Sequence, residues 1–76
     1  MNDLQEFVKI FKVELLDSDL NSSSKFKNHK NWSSLTSLII ITEIEGKFGV
    51  FVGIESLREA ETIEELFNST IAVEPK

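Results

Sequence analysis

Leu4, Phe7, Val8, Phe11 and Leu15 recur at the spacing that places apolar side chains along one face of an α-helix. That face constrains the fold most, because the chain has 76 residues and no cysteine. A domain of this size buries only roughly 60% of the surface its unfolded form exposes, so it has one core and little stability to spare. The first helix must supply much of that core. Asn2 is expected to cap it, with Gln5 as the second half of a capping box, and the helix is expected to end near Leu16.

Residues 17–33 are rich in Asp, Asn, Ser and Lys, with Leu20, Phe26 and Trp32 as the large apolar residues. Connections this long in small domains are uncommon, and ordered ones often carry function. Phe26 and Trp32 are expected to pin this one to the core; a ligand contact is the other reading of Trp32. Near the other end, Thr62 with Glu65 spells a capping box, followed by an apolar face of Ile63, Leu66, Phe67 and Ile71. Ser56 with Glu59 spells another, opening a short turn over residues 57–60. Residues 73–76 are expected to be a frayed tail.

The middle of the chain supports two readings. Leu38, Ile39, Ile40, Ile41 and Thr42 are mostly β-branched, and residues 37–54 read locally as a β-hairpin turning at Glu45-Gly46-Lys47. A helix has its own support. Leu35, Leu38, Thr42, Glu45 and Phe48 then share one side, flanked by Ile41 and Ile44, and Gly49 stands where a C-terminal cap belongs.

The stretch Trp32-Ser33-Ser34-Leu35-Thr36-Ser37-Leu38, continued by Ile44-Glu45-Gly46-Lys47-Phe48-Gly49-Val50, resembles the acyl carrier protein family. That family commonly reads Trp-Asp-Ser-Leu, an apolar helix, then an Ile- or Leu-Glu stretch ending in Phe-Gly-Val. Leu57-Arg58 and Thr62-Ile63-Glu64-Glu65-Leu66-Phe67 are similar to its later helices, and Phe26-Lys27 to the aromatic position upstream. The resemblance runs through nearly the whole chain and selects the helical reading. It implies an all-α, four-helix acyl-carrier-like bundle in residues 1–76. Three longer helices and a short third helix are expected, with a long loop after the first. On this reading the core takes in Phe7, Phe11, Leu35, Leu38, Phe48 and Leu66.

By the same resemblance, Ser34 is the attachment residue for phosphopantetheine, transferred from coenzyme A by a phosphopantetheinyl transferase. The chain would then hold an acyl intermediate as a thioester and present it to enzymes of acyl-chain synthesis or transfer, as in fatty acid biosynthesis. A serine in the first helical turn is reachable, and a helix N-terminus favours the phosphate. The family's acid before the attachment serine is Ser33 here. That departure motivates the alternative of an unmodified structural or regulatory module; for Ser33 and Ser34 alone, plain helix capping is the other reading. The resemblance also points to Glu43, Glu45, Glu55, Glu59 and Glu61 as partner-binding residues for basic docking surfaces. Ile39 or Ile40, partly exposed, would add apolar contact.

Charge bears on partners as well. Residues 1–33 hold five acidic and five basic residues, whereas residues 34–76 hold eight glutamates against Lys47, Arg58 and Lys76. An acidic field of that kind repels nucleic acid and attracts basic protein surfaces; a solvated acidic face with no partner is the other reading. No nucleophile–base pair is evident, and His29 is the one histidine. Neither catalysis by the chain itself nor a metal site is expected. With acidic and basic residues among the first sixteen, no secretory signal is expected, and the longest apolar run, residues 38–41, is too short to span a bilayer. A cytoplasmic monomer without a membrane span is the expectation.

Overall fold

The computed structural model describes the backbone of residues 3–72 and the side chains of residues 3–70. Asn2 and residues 73–76, for which a cap and a frayed tail are expected, lie outside the described residues. Within them the chain is mostly helical: α1 (Asp3–Glu14), α2 (Ser34–Phe48), α3 (Ile54–Glu59) and α4 (Ile63–Ser69). A single 3₁₀ turn covers Phe26–Asn28. Two short strands, β1 (Val50–Phe51) and β2 (Ile71–Ala72), pair antiparallel, with Val50 opposite Ala72 and Phe51 opposite Ile71. No helix among the described residues is long and apolar enough to cross a membrane.

The first helix buries Phe7, Val8, Ile10 and Phe11, the face its spacing announces. It ends in a left-handed residue, Leu16 at φ 55°. The Asp17 N–H donates to Lys12 O and the Leu16 N–H to Val13 O, which closes a Schellman motif. A glycine usually stands at that position, since a side chain there is crowded by its own backbone.

An aromatic chain crosses the interior. Trp32 meets Phe26 edge to face at 5.1 Å, Phe26 meets Phe11 at 5.2 Å, and Phe11 meets Phe7 at 5.6 Å. Phe7 then contacts Phe67 at 5.1 Å and Phe48 at 5.9 Å. Phe26 and Trp32 thus pin the long connection to the core.

The residues with the hairpin signal form α2 instead. Ser33 caps it, its hydroxyl accepting the Thr36 N–H, and Gly49 at φ 64° ends it with its N–H on Glu45 O. Which side of α2 faces inward differs from expectation. Ile40 and Ile44 are completely buried, whereas Leu35 and Leu38 are 67% and 62% exposed. Because α2 is apolar on every side, its spacing names no unique inner face. Packing against α1 chooses the ridge of Ile40, Ile44 and half-buried Phe48, so Leu35 and Leu38 lie outside the core.

Two further expectations are corrected. The short third helix begins at Ile54 with Gly53 as its N-cap, so Ser56 lies inside the helix and caps nothing. The last helix stops at Ser69, and Ile71 belongs to β2 rather than to its apolar face. The Ser69 and Thr70 hydroxyls donate to Leu66 O and Phe67 O, taking carbonyls at its end. The capping signal at Thr62 holds in half: its hydroxyl accepts the Glu65 N–H at 3.2 Å. Glu65 reaches back one residue further than a capping box requires, accepting the Glu61 N–H at 2.9 Å.

Candidate functional site

Ser34 is the first residue of α2 and is exposed. Its neighbours are engaged. The Ser33 hydroxyl accepts the Thr36 N–H at 3.1 Å and lies 3.0 Å from Thr36 Oγ1, while Ser37 Oγ donates to Ser34 O at 2.8 Å. The Ser34 hydroxyl itself forms no hydrogen bond among the described residues. Of two adjacent serines, one hydroxyl is therefore occupied by the cap and the other is exposed and unengaged among the described residues.

The long connection fixes where this helix start sits. Asp17 Oδ1 accepts the Asp19 N–H and Asn21 Oδ1 the Ser23 N–H, two Asx turns that explain the Asp and Asn there. Asn31 Nδ2 donates to Leu15 O at 2.7 Å, tying the end of the connection to the end of α1. His29 Nδ1 accepts the Asn31 N–H at 3.0 Å, leaving Nε2 to donate to Asp17 Oδ2 at 2.9 Å. The His29 hydrogen bond, then the Asp19 N–H and the nearby Lys30 charge, hold the Asp17 carboxyl below its ordinary value, against some desolvation. The Ile63 and Glu64 N–H groups, at the start of α4, donate to Ser24 O and Ser22 O.

Beside Ser34 runs an open groove of about 540 Å³. Trp32, Ser33, Ser34 and Ser37 form one wall, Ile54, Leu57 and Arg58 of α3 the other, and Lys27 closes in from the connection. Ile54 is 72% exposed, an apolar side chain presented at the groove edge. Lys27 does not point freely into it: its ammonium donates to Leu57 O at 3.0 Å and Arg58 O at 2.6 Å. Lys27, Asn31 and Ile54 carry no motif of their own. The hydrogen bonds of Lys27 and Asn31 join residues 16 to 31 apart in sequence, and Ile54 lines the groove through the placement of α3, so spacing could not have singled them out.

The residues expected to meet partners are distributed unevenly. Ile39 is 39% exposed on the outer side of α2, while Ile40 is in the core. At 100° per residue, Leu38, Thr42, Leu35 and Ile39 form one outward stripe, with Glu45 along one border and Glu43 along the other. Glu45 is half-buried and accepts the Val52 N–H at 3.1 Å, so it also fastens the segment after β1 to α2. Glu43 is exposed and lies near the Glu14 carboxyl. Interaction with that carboxyl above all, then some desolvation and its like charge, raises the Glu43 carboxyl above its ordinary value, and nearby Lys47 offsets part of this. Lys47 itself is engaged with Glu6 at 3.3 Å. On α3, Glu55 pairs with Arg58 at 3.1 Å and Glu59 is exposed; Glu61 is exposed in the turn that follows. Glu43 and Glu45 thus flank one surface, and Glu55, Glu59 and Glu61 lie on and after the helix across the groove.

No protein-family model matches the chain, and no curated protein or solved structure is significantly similar to it.

Proposed function

We propose that this chain is an acyl carrier protein, carrying phosphopantetheine on Ser34 and presenting acyl thioesters to partner enzymes. One observation carries the reading most. The serine in the attachment register of the acyl-carrier-like stretch is exposed and has an unengaged hydroxyl, whereas its neighbour Ser33 is consumed by the cap. The order of motifs from Trp32 to Phe67 supports the same conclusion, as does a helical bundle with a long ordered connection before the second helix.

The residues around Ser34 fit such an arm. A phosphodiester on its oxygen lies at the start of a 15-residue helix, where the amides and the macrodipole favour an anion. The apolar parts of Trp32, Ile54 and Leu57 suit the arm's hydrocarbon portions, and Arg58 supplies a cation on the far wall. The arm contributes the thiol; the chain contributes attachment, position and recognition. Tethering raises the effective concentration of the acyl group at each docked enzyme.

For docking, α2 offers Leu35, Leu38 and Ile39 between Glu43 and Glu45, a surface suited to an apolar patch bordered by Lys and Arg. Recognition here is more apolar than acidic, because Thr36 and Ile39 are not carboxylates.

A second reading rests on Ser33. Its hydroxyl replaces a carboxylate and is taken up by the cap, so it offers a transferase no anionic contact. On that reading the chain is an unmodified interaction module using the same surface. Intact mass after incubation with coenzyme A and a broad-specificity phosphopantetheinyl transferase separates the two. The carrier reading expects a gain of one arm in wild type and none in Ser34→Ala. No gain in wild type with a gain in Ser33→Asp would favour the unmodified module.

A further inference from the structure

Two positions on the outer side of the α1–α2 layer break a local rule at a cost to stability. Leu16 takes the left-handed conformation that suits glycine best, at φ 55°, and its side chain is 84% exposed. Gly46 stands inside α2 with open space around it, where alanine would favour the helix. At 100° per residue it falls on the same side of α2 as Leu35 and Ile39. Departures of this kind are expected where a surface has a use other than stability. The surface they border is apolar. Of the seven exposed large hydrophobic residues among those described, Val13, Leu16, Leu35, Leu38 and Ile39 lie on these two helices and the turn that ends α1.

The seam between the helices sets how their residues line up. Lys47 pairs with Glu6, Glu43 lies near Glu14, and Asn31 reaches Leu15 O just before α2 begins. The helices therefore run antiparallel, with the end of α1 beside the start of α2. From that end the outward row of α1 reads Leu16, Val13, Lys9, and that of α2 reads Leu35, Ile39, Glu43. The rows complement each other: leucine with leucine, valine with isoleucine, ammonium with carboxylate. Lys9 is exposed and has no ion pair among the described residues. Glu43 has none there either, and its near neighbour Glu14 is a like charge.

We propose that the α1–α2 face is a self-association surface, on which a second copy of this chain sits across a two-fold axis running along the seam. That axis lays α1 of each copy on α2 of the other. Leu16 then meets Leu35, Val13 meets Ile39 and Lys9 meets Glu43, each contact made twice. The partner's ammonium offsets the repulsion between Glu14 and Glu43. Gly46 lets the partner's α1 approach the α2 backbone closely. Helices of 12 and 15 residues side by side cover roughly 400 Å², about half of the ~800 Å² per partner in a stable interface. The pair is accordingly weak and reversible, and at low concentration the chain remains a monomer. Because the face includes the apolar stripe of α2, a second copy competes there with any partner enzyme.

Sedimentation equilibrium from micromolar to millimolar concentration tests this. Wild type should approach twice the monomer mass at the top of the range. Leu16→Gly should weaken the association about tenfold without lowering the Tm, since glycine fits the left-handed position. Lys9→Glu and Glu43→Lys should each weaken it about tenfold by bringing like charges together. An equimolar mixture of those two variants should restore it, because opposite charges meet again at both contacts. A wild type that stays monomeric at millimolar concentration would overturn the proposal and leave the face to a partner protein. Association that the charge variants leave intact, or that mixing does not restore, would also overturn it. The surface does not rest on attachment at Ser34: unmodified protein and Ser34→Ala should associate alike. Failure here and failure of the carrier reading are therefore distinguishable.

Discussion

Residues 17–33 and the outer side of α2 invert the usual relation between polarity and burial. The first region is dominated by Asp, Asn, Ser and Lys, yet it is one of the most firmly fastened parts of the molecule. Asn31 and Lys27 cap the ends of α1 and α3, Ser22 and Ser24 receive the first amides of α4, and Phe26 is completely buried. The second region is apolar and uncovered. The lesson concerns what each sequence had to satisfy. Polar groups in the connection answer helix ends that would otherwise lack partners, while the leucines and Ile39 of α2 answer nothing within the described residues. The proposed docking to partners rests on this uncovered apolar stripe.

Phe26 is the anchor that holds the polar connection to the core. Phe26→Ala should cost about 3–5 kcal/mol in chemical denaturation, because it deletes a buried ring between Phe11 and Trp32. A loss under about 1 kcal/mol would mean the connection is merely draped over the bundle. Ser33→Ala should cost about 1 kcal/mol through loss of the cap, read as a lower denaturation midpoint. On the outer side of α2, Gly46→Ala should raise stability by about 1 kcal/mol, since no atom lies within 4 Å of the added methyl. A neutral or negative result would show that this side is not open.

The double variant Leu35→Ser with Leu38→Ser should leave stability within about 0.5 kcal/mol in the same assay, because both side chains are mostly in solvent. It should instead weaken partner binding. The smallest effect is on pH dependence. Asp17 has a lowered carboxyl in the folded state, so its contribution is present above the ordinary aspartate value, about 3.9, and lost as pH falls through the folded value. Glu43 is raised, so the folded state holds its proton longer; its contribution is present below the ordinary glutamate value, about 4.3, and lost as pH rises through the folded value. Denaturation against pH should show Asp17→Asn flattening the acid limb and Glu43→Gln flattening the decline above about pH 4.3.

Much of the framework was legible in the residues. The face of α1, the left-handed Gly49 and the Thr62 cap rest on local chemistry, which acts over three or four residues, and the anchoring role of Phe26 and Trp32 follows from their being large apolar side chains in a polar stretch. The free hydroxyl at Ser34 follows from the same logic once Ser33 is placed as the cap. Tertiary structure decided the rest. Whether residues 38–42 form helix or strand is undetermined by β-branched propensity, and α2, apolar all round, has no inner face until α1 packs against it. Leu35 and Leu38, expected in the core, therefore stand in solvent, while Ile40 is inside. The partners of Lys27, Asn31 and His29 likewise lie 12 to 31 residues away. Periodicity and capping are properties of a segment; the side a segment turns inward, and the helix end that a distant side chain reaches, are set by which surfaces meet.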